Sequence, residues 1–441
     1  MATDPGPGSS RLRRFLSSVL LLPLCACAAG PMAVPTAAPG DEAAYAALYP
    51  YYAEICAVSQ LGKKPGFGAE ISSGIGGHAV LYLNGVCRKQ DIEYPVLALC
   101  DELPKPTADG VGLSVNAHYA NANWVAIEGR DFFFEGGLAP DRPLTRDAYR
   151  RVLAEAEAKG IYKNIAFHDV TYEDVPAGFT RESFKYEISV ATDFAIAFGR
   201  NRYCGKVPLS RPQMAGIVRY LDALNEPYRT GEAVFDWNLF THNCAHMNHN
   251  ALAIAGLWDE WAEDRFILWA LFDFPVPKNE FVNLMRRTND LPIDDPETLY
   301  RDTAARRMLL EQGRLPTEPG AIADLGGIIP ENEVYDTKSE IIFYDEPITG
   351  SYQEWFDRIL SEKRYLSLKD NLAYFATLYQ RIERQQVPLD RYPPAQRMTA
   401  EERHDFAVFY EKYYTYIAQQ SAETARNIAW LNSPPPSAHA L

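Results

Sequence analysis

The 441-residue chain lacks several signatures that would name a chemistry outright. It contains no His-Glu-x-x-His metalloprotease helix, no Gly-x-Ser-x-Gly elbow and no dinucleotide fingerprint. The glycines between Gly66 and Gly77 lead into strand-like residues and are followed by no Lys-Ser/Thr pair, so they do not form a phosphate-binding loop. Basic residues are scarce relative to acidic ones: 43 Lys and Arg stand against 58 Asp and Glu, a formal charge of −15. An excess of acid of this size excludes nucleic acid and anionic headgroups as main partners. The charge-free run from Phe15 to Leu24 is too short to span a bilayer, and internal repeats are absent.

What is present begins with Arg11-Leu-Arg-Arg14, the apolar run and Leu24-Cys-Ala-Cys27, in the order of a secretory signal. The tetrad resembles a bacterial lipobox, in which the last cysteine is lipidated. The resemblance implies lipidation at Cys27, with residues 1–27 as signal and lipobox and 28–40 as a Pro/Ala-rich flexible tether. Losing residues 1–26, which hold three arginines and one aspartate, would make the chain two charges more negative. No aspartate follows Cys27, so the expected location is the outer membrane, facing the periplasm, with the N-terminal lipid as the membrane partner.

In an exported chain the five later cysteines are expected to pair, and an odd number leaves one thiol free. Cys87 and Cys100 flank a short insert and form one expected bridge. Cys56 and Cys204 are the residual pair, which leaves Cys244. That residue lies in Thr241-His-Asn-Cys-Ala-His-Met, where an apolar helix begins. A cysteine in a helix's first turn meets unpaired amides and the positive end of the dipole, which favour its thiolate. At 100° per residue, Met247, Asn248, Ala251 and Leu252 share the cysteine's inward face, and His246 and His249 fall opposite as surface or capping histidines.

Upstream, the spacing predicts a helix over 41–60, then a strand from His78 to Leu83 closed by Asn84-Gly85. Two further β segments span 111–119 and 123–127, with Ser114, Asn116 and His118 on one face. A helix over 143–160, a strand from Tyr162 to Val170 and an extended segment over 194–209 follow. Ser210 then caps a helix that Asn225-Glu-Pro227 ends. Phe266 to Lys278 reads as aromatic packing. Helices are expected at 297–312, 352–362 and 366–384, and a last one opens on the capping box Thr399-Ala-Glu-Glu402 with an aromatic core stripe of Phe406, Phe409, Tyr413, Tyr416 and Ile417.

Gly77-His78 leading a strand, and Asn243-Cys244-Ala-His246 opening a helix much later, resemble the circularly permuted papain-like superfamily of NlpC-type and lecithin:retinol acyltransferase-like proteins. The resemblance covers residues 66–258. It implies an α+β fold, with a papain-like antiparallel sheet packed on the cysteine-bearing helix over 41–265; beyond it the helical spacing reads as a mostly helical extension over 266–432, and the Pro434-Pro-Pro run as part of a disordered tail at 433–441. It further implies Cys244 as nucleophile and His78 as base, for a peptidase, amidase or acyltransferase working without a cofactor. The 40 residues from His78 to His118 exceed the usual spacing, and the third polar residue is left open between His118 and Asn116. Peptidoglycan peptides or envelope acyl groups are the expected substrates. Two alternatives stand beside it. One is a non-catalytic envelope lipoprotein that uses the fold as a binding module; the other is a metal protein whose ligands are His242, His246 and His249 at i, i+4 and i+7.

Overall fold

The computed structural model describes residues 39–66, 68, 77–173, 175–262, 276–342, 345 and 352–433. The expected signal, Cys27, most of the tether, most of the glycine-rich run, the aromatic run before Val276 and the tail beyond Ser433 lie outside them. Among the described residues no helix is long and apolar enough to cross a membrane.

Of the described residues, 48% are helical and 14% are in strands, an α+β protein. Its main sheet holds β1 (Tyr52–Val58), β2 (His78–Asn84), β5 (Gly110–Ser114), β6 (Val125–Glu128), β7 (Arg202–Pro208) and β8 (Ile322–Gly326). Their order is β6-β5-β2-β1-β7-β8, and every neighbouring pair is antiparallel. A small hairpin of β3 (Val86–Arg88) and β4 (Leu97–Leu99) lies beside it. Sheet membership crosses the division expected at 265/266, because edge strand β8 comes from the later region.

β1 is buried along its whole length because both faces of the sheet are covered. Strand alternation puts Tyr52, Glu54 and Cys56 on one face. There Tyr52 meets Tyr45 of α1 (Pro39–Leu48), and Glu54 takes a bond from Arg130 of α2 (Arg130–Glu135). Cys56 faces Cys204 across the β1–β7 ladder, and the two are disulfide-bonded. On the other face Ala57 and Tyr203 pack with Phe281, Val282 and Met285 of α7 (Pro277–Asn289). A Cβ on Gly205 would stand 2.9 Å from Leu284, so that helix sits directly on the sheet.

Beside α7, α6 (Cys244–Ile254) lies against β2 and against α5 (Arg211–Arg229). A second apolar cluster joins α8 (Pro296–Arg301), α9 (Thr303–Gln312), α12 (Leu368–Arg384), α13 (Pro393–Gln396) and α14 (Ala400–Leu431), while α10 (Tyr352–Ser361) and α11 (Lys363–Leu366) pack Phe356, Ile359 and Tyr365 with Tyr203 and Phe281. Phe406, Phe409, Tyr413, Tyr416 and Ile417 of α14 are all in this core. Between α2 and α5 come α3 (Arg146–Ala158) and α4 (Arg181–Ser189).

Several expectations need correction. The helix expected over 41–60 ends at Leu48, because Pro50 cannot donate to a helical carbonyl, and the following residues are taken into the sheet by β2 and β7 on either side. Tyr162 to Val170 forms turns, one isolated bridge, Tyr119 to Phe167, and the start of a 3-10 turn at Asp169; Tyr162, Ile165 and Phe167 are buried from this loop with no ladder, and Val170 is exposed. α5 runs through Pro227 to Arg229, since a proline in the last turn deletes only one intrahelical bond. At Thr399 only half of the capping box forms: its hydroxyl accepts from the Glu402 amide.

Candidate active site

Local sequence sets up both halves of the site. On α6, Asn243 is extended, and its Oδ1 accepts from the amides of Ala245 at 2.9 Å and His246 at 3.2 Å, capping the helix and placing Cys244 as its first residue. On β2, Gly77 has φ +72° and a Cβ there would lie 2.3 Å from the Val58 carbonyl. Only glycine lets the chain enter the strand at that point, and His78 is the next residue.

The β2–β5 ladder runs from Leu81↔Leu113 to Asn84↔Gly110, so His78 to Val80 extend beyond it. The Cys244 thiol occupies this splayed end, next to the Ala79 amide. Burial pushes the thiol pKa up; the amides of Ala79, Ala245 and Cys244 itself, and the charge of Arg200, work against that rise. Cys244 is the free cysteine, with Cys56 bonded to Cys204 and Cys87 to Cys100.

His78 is 8% exposed, and its Nε2 lies 2.9 Å from Ser114 Oγ. Ser114 donates its one proton to Asp193 Oδ1 at 2.7 Å. Oγ must therefore accept from the ring, which places the proton on Nε2 and leaves Nδ1 as the acceptor. Asp193 Oδ2 accepts in turn from Asn116 Nδ2 at 3.0 Å, Tyr119 OH at 2.7 Å and Tyr162 OH at 3.1 Å. Burial, with Arg200 as the smaller cause, pushes the His78 pKa down to about 3, so the ring is neutral. No hydrogen bond joins the His78 ring to the Cys244 thiol in this arrangement; the two are related through Ala79, the residue after His78.

Asp193 stands in a tight turn between Ala191 and Ala195, both in the left-handed region at φ 62° and 52°. Such φ values cost an alanine roughly 1 kcal/mol or more and persist where surrounding contacts enforce them. Here Arg200 Nε bonds the Ala191 carbonyl at 2.7 Å, and the Asp193 amide bonds Ser189 O at 2.7 Å.

Of the two residues expected to orient His78, Asn116 reaches the site only through Asp193. His118 is elsewhere: its Nδ1 is 3.1 Å from Thr171 Oγ1, and its ring stacks on Phe167. Ser114, Asp193 and Arg200 were not singled out from sequence. Ser114 had a signal, since it shares a strand face with Asn116 and His118 and is nearer the β2 pairing. Asp193 and Arg200 had none, because a tight turn and the loop leading into β7 bring them in from far along the chain.

His242, ahead of α6, and His246 and His249 on it do not gather as a metal set. His249 is buried, correcting the expectation of a surface residue, because Trp258 and Trp261 stack on its two faces at 4.5 and 3.8 Å. Its Nδ1 meets Glu280 Oε2 at 2.9 Å and its Nε2 meets Asp259 O at 3.0 Å. His246 is buried too, with Nδ1 on Asn243 Oδ1, and His242 Nδ1 lies 3.0 Å from Thr241 Oγ1. The one cluster of metal-type ligand atoms among the described residues, Glu54 with Cys56 and Cys204, has both sulfurs in a disulfide. No family model, curated protein or solved structure matches the chain.

Proposed function

We propose that this protein is a cysteine hydrolase or acyltransferase built on a permuted papain-like core, with Cys244 as nucleophile and His78 as base. The chain of bonds from His78 Nε2 through Ser114 to Asp193 carries the reading, because it commits the ring to the tautomer whose Nδ1 can take a thiol proton. In the reaction Nδ1 removes the Cys244 proton as sulfur bonds the carbonyl carbon of an amide or ester. The oxygen takes the negative charge and draws on the backbone amide of Cys244 at the start of α6, since the next two amides donate to Asn243 Oδ1. Collapse breaks the bond to the leaving amine or alcohol, which receives the proton from His78. Water, or an acceptor alcohol or amine, then attacks the thioester and releases Cys244.

Lipidation at Cys27 would hold the domain at the inner face of the outer membrane, within reach of peptidoglycan peptides and envelope acyl groups. The test is turnover of a chromogenic ester and of isolated peptidoglycan by the wild type, Cys244→Ala and His78→Ala. Loss of turnover in both variants with the fold intact is expected; full turnover in either would refute the assignment. One observation favours a second reading, a binding module without catalysis: both side chains are buried and not bonded to each other. That reading requires Cys244 to resist iodoacetamide in the folded protein.

A further inference from the structure

Asn248 of α6 is 1% exposed, and neither its Oδ1 nor its Nδ2 has a hydrogen-bond partner among the described residues. The other carboxamides and imidazoles of this helix are met. Asn243 caps the first turn, and His246 Nδ1 lies on Asn243 Oδ1. His249 lies between Glu280 and the Asp259 carbonyl, and Asn250 exchanges bonds with the Trp261 backbone. At 100° per residue His246, His249 and Asn250 fall on the far half of the helix. Asn248 stands about 40° from Cys244 and, four residues on, about 6 Å along the axis. Helical Cα–Cβ bonds tilt toward the N-terminus, so the Asn248 side chain covers the turn that holds Cys244. A buried carboxamide with both ends unmet destabilises a fold, and an apolar residue of the same size would not. Its place on the nucleophile's face, on a helix whose other polar groups are satisfied, points to a partner that arrives with the substrate. That partner must offer an acceptor to Nδ2 and a donor to Oδ1. A secondary amide carries both on one planar group, whereas an ester carries only the acceptor. Peptide groups recur about every 3.8 Å along a chain, so a peptide attacked at one carbonyl brings the adjoining peptide group within reach of Asn248.

We propose that Asn248 is a substrate-binding residue of this site, and that it pairs with a peptide group adjoining the bond that Cys244 attacks. The proposal rests on Cys244 being the nucleophile, and it deepens that reading by selecting a peptide over a simple ester as the substrate class. A ligand reaches Asn248 only by parting the residues that cover it, and in doing so it breaks no hydrogen bond of that side chain.

The experiment compares two probes that differ in one N–H, iodoacetyl-alanine N-methylamide and iodoacetyl-alanine methyl ester. Each alkylates Cys244 as the thiolate sulfur displaces iodide, so no substrate turnover is needed. The rates are followed by mass spectrometry of the peptide that contains Cys244, and each is divided by the same reagent's rate with glutathione. In the wild type the amide should react about fivefold faster or more, the worth of one hydrogen bond. Asn248→Leu keeps the size of the side chain and removes its polar atoms, and there the ratio should fall to about one, which a purely structural Asn248 would not predict. Equal rates in the wild type, or an amide preference that survives in Asn248→Leu, overturn the proposal. If the variant does not fold, the wild-type ratio decides: a preference for the amide supports the proposal and equal rates overturn it. Equal rates leave the hydrolase reading standing, whereas a Cys244 inert to both probes and to iodoacetamide ends that reading and the proposal with it.

Discussion

Removing the Ser114 hydroxyl should damage the site in a way that can be followed by three measurements. Ser114→Ala deletes the 2.9 Å contact with His78 Nε2 and the 2.7 Å bond to the Asp193 carboxylate. The second bond has a charged acceptor, a class worth about 1.5–3 kcal/mol, and the ring N–H left behind is buried with no acceptor in reach, which costs about 1–3 kcal/mol. Asp193 keeps Asn116, Tyr119 and Tyr162, so the full sum overstates the loss. A destabilisation of about 2–3 kcal/mol is expected from urea unfolding. Nitrogen NMR of the imidazole should show the Nε2–H tautomer in the wild type and a mixture in the variant. Turnover should fall about 100-fold or more, because a misoriented or wrongly protonated ring cannot take the thiol proton. An unchanged unfolding midpoint together with an unchanged tautomer would refute the chain of bonds on which the mechanism rests.

Other consequences follow from burial and cross-linking. His78 titrates near 6.5 when unfolded and near 3 in the fold, so the native state binds fewer protons and its stability falls as pH drops from about 6.5 toward 3. The slope approaches about 1.4 kcal/mol per pH unit in that window, and His78→Gln should remove this component from acid unfolding curves; identical slopes in wild type and variant would contradict the neutral buried ring. The Cys56–Cys204 bond closes a loop of 148 residues in sequence, so the Cys56→Ala/Cys204→Ala protein should lose about 4–5 kcal/mol. The Cys87→Ala/Cys100→Ala protein, with a separation of 13, should lose about 3 kcal/mol. Equal midpoints for the two double variants in urea would show that loop closure is not what sets the difference.

The parts of the site that could be read from sequence are those whose geometry depends on neighbouring residues. Asn243 caps α6 and Gly77 admits the chain to β2 because capping and positive φ are decided within a few residues. Ser210 starting α5 belongs to the same class. The errors arose where distant contacts overrode a local pattern. The spacing of Tyr45, Leu48, Tyr49, Tyr52 and Ile55 suits a helix through residues 52–58, yet β2 and β7 pair with both of their edges. Tyr162 to Val170 is expected as a strand, but its buried residues Tyr162, Ile165 and Phe167 enter the core from a loop, where the Tyr162 hydroxyl donates to Asp193. The histidines opposite Cys244 on α6 were expected at the surface, and two tryptophans and a glutamate from α7 enclose one of them.

Sequence alone determined where a cysteine would open a helix and where a histidine would open a strand, since each depends on caps and turns of a few residues. It also determined the acidic balance and the odd cysteine count. Only the tertiary structure decided what stands behind His78: Ser114 from the neighbouring strand, Asp193 from a strained turn 79 residues beyond Ser114, and Arg200 buried between that turn and the end of β1. A carboxylate and a guanidinium acquire these roles through burial and through the groups packed around them. Neither is a property of the residues beside them in the chain.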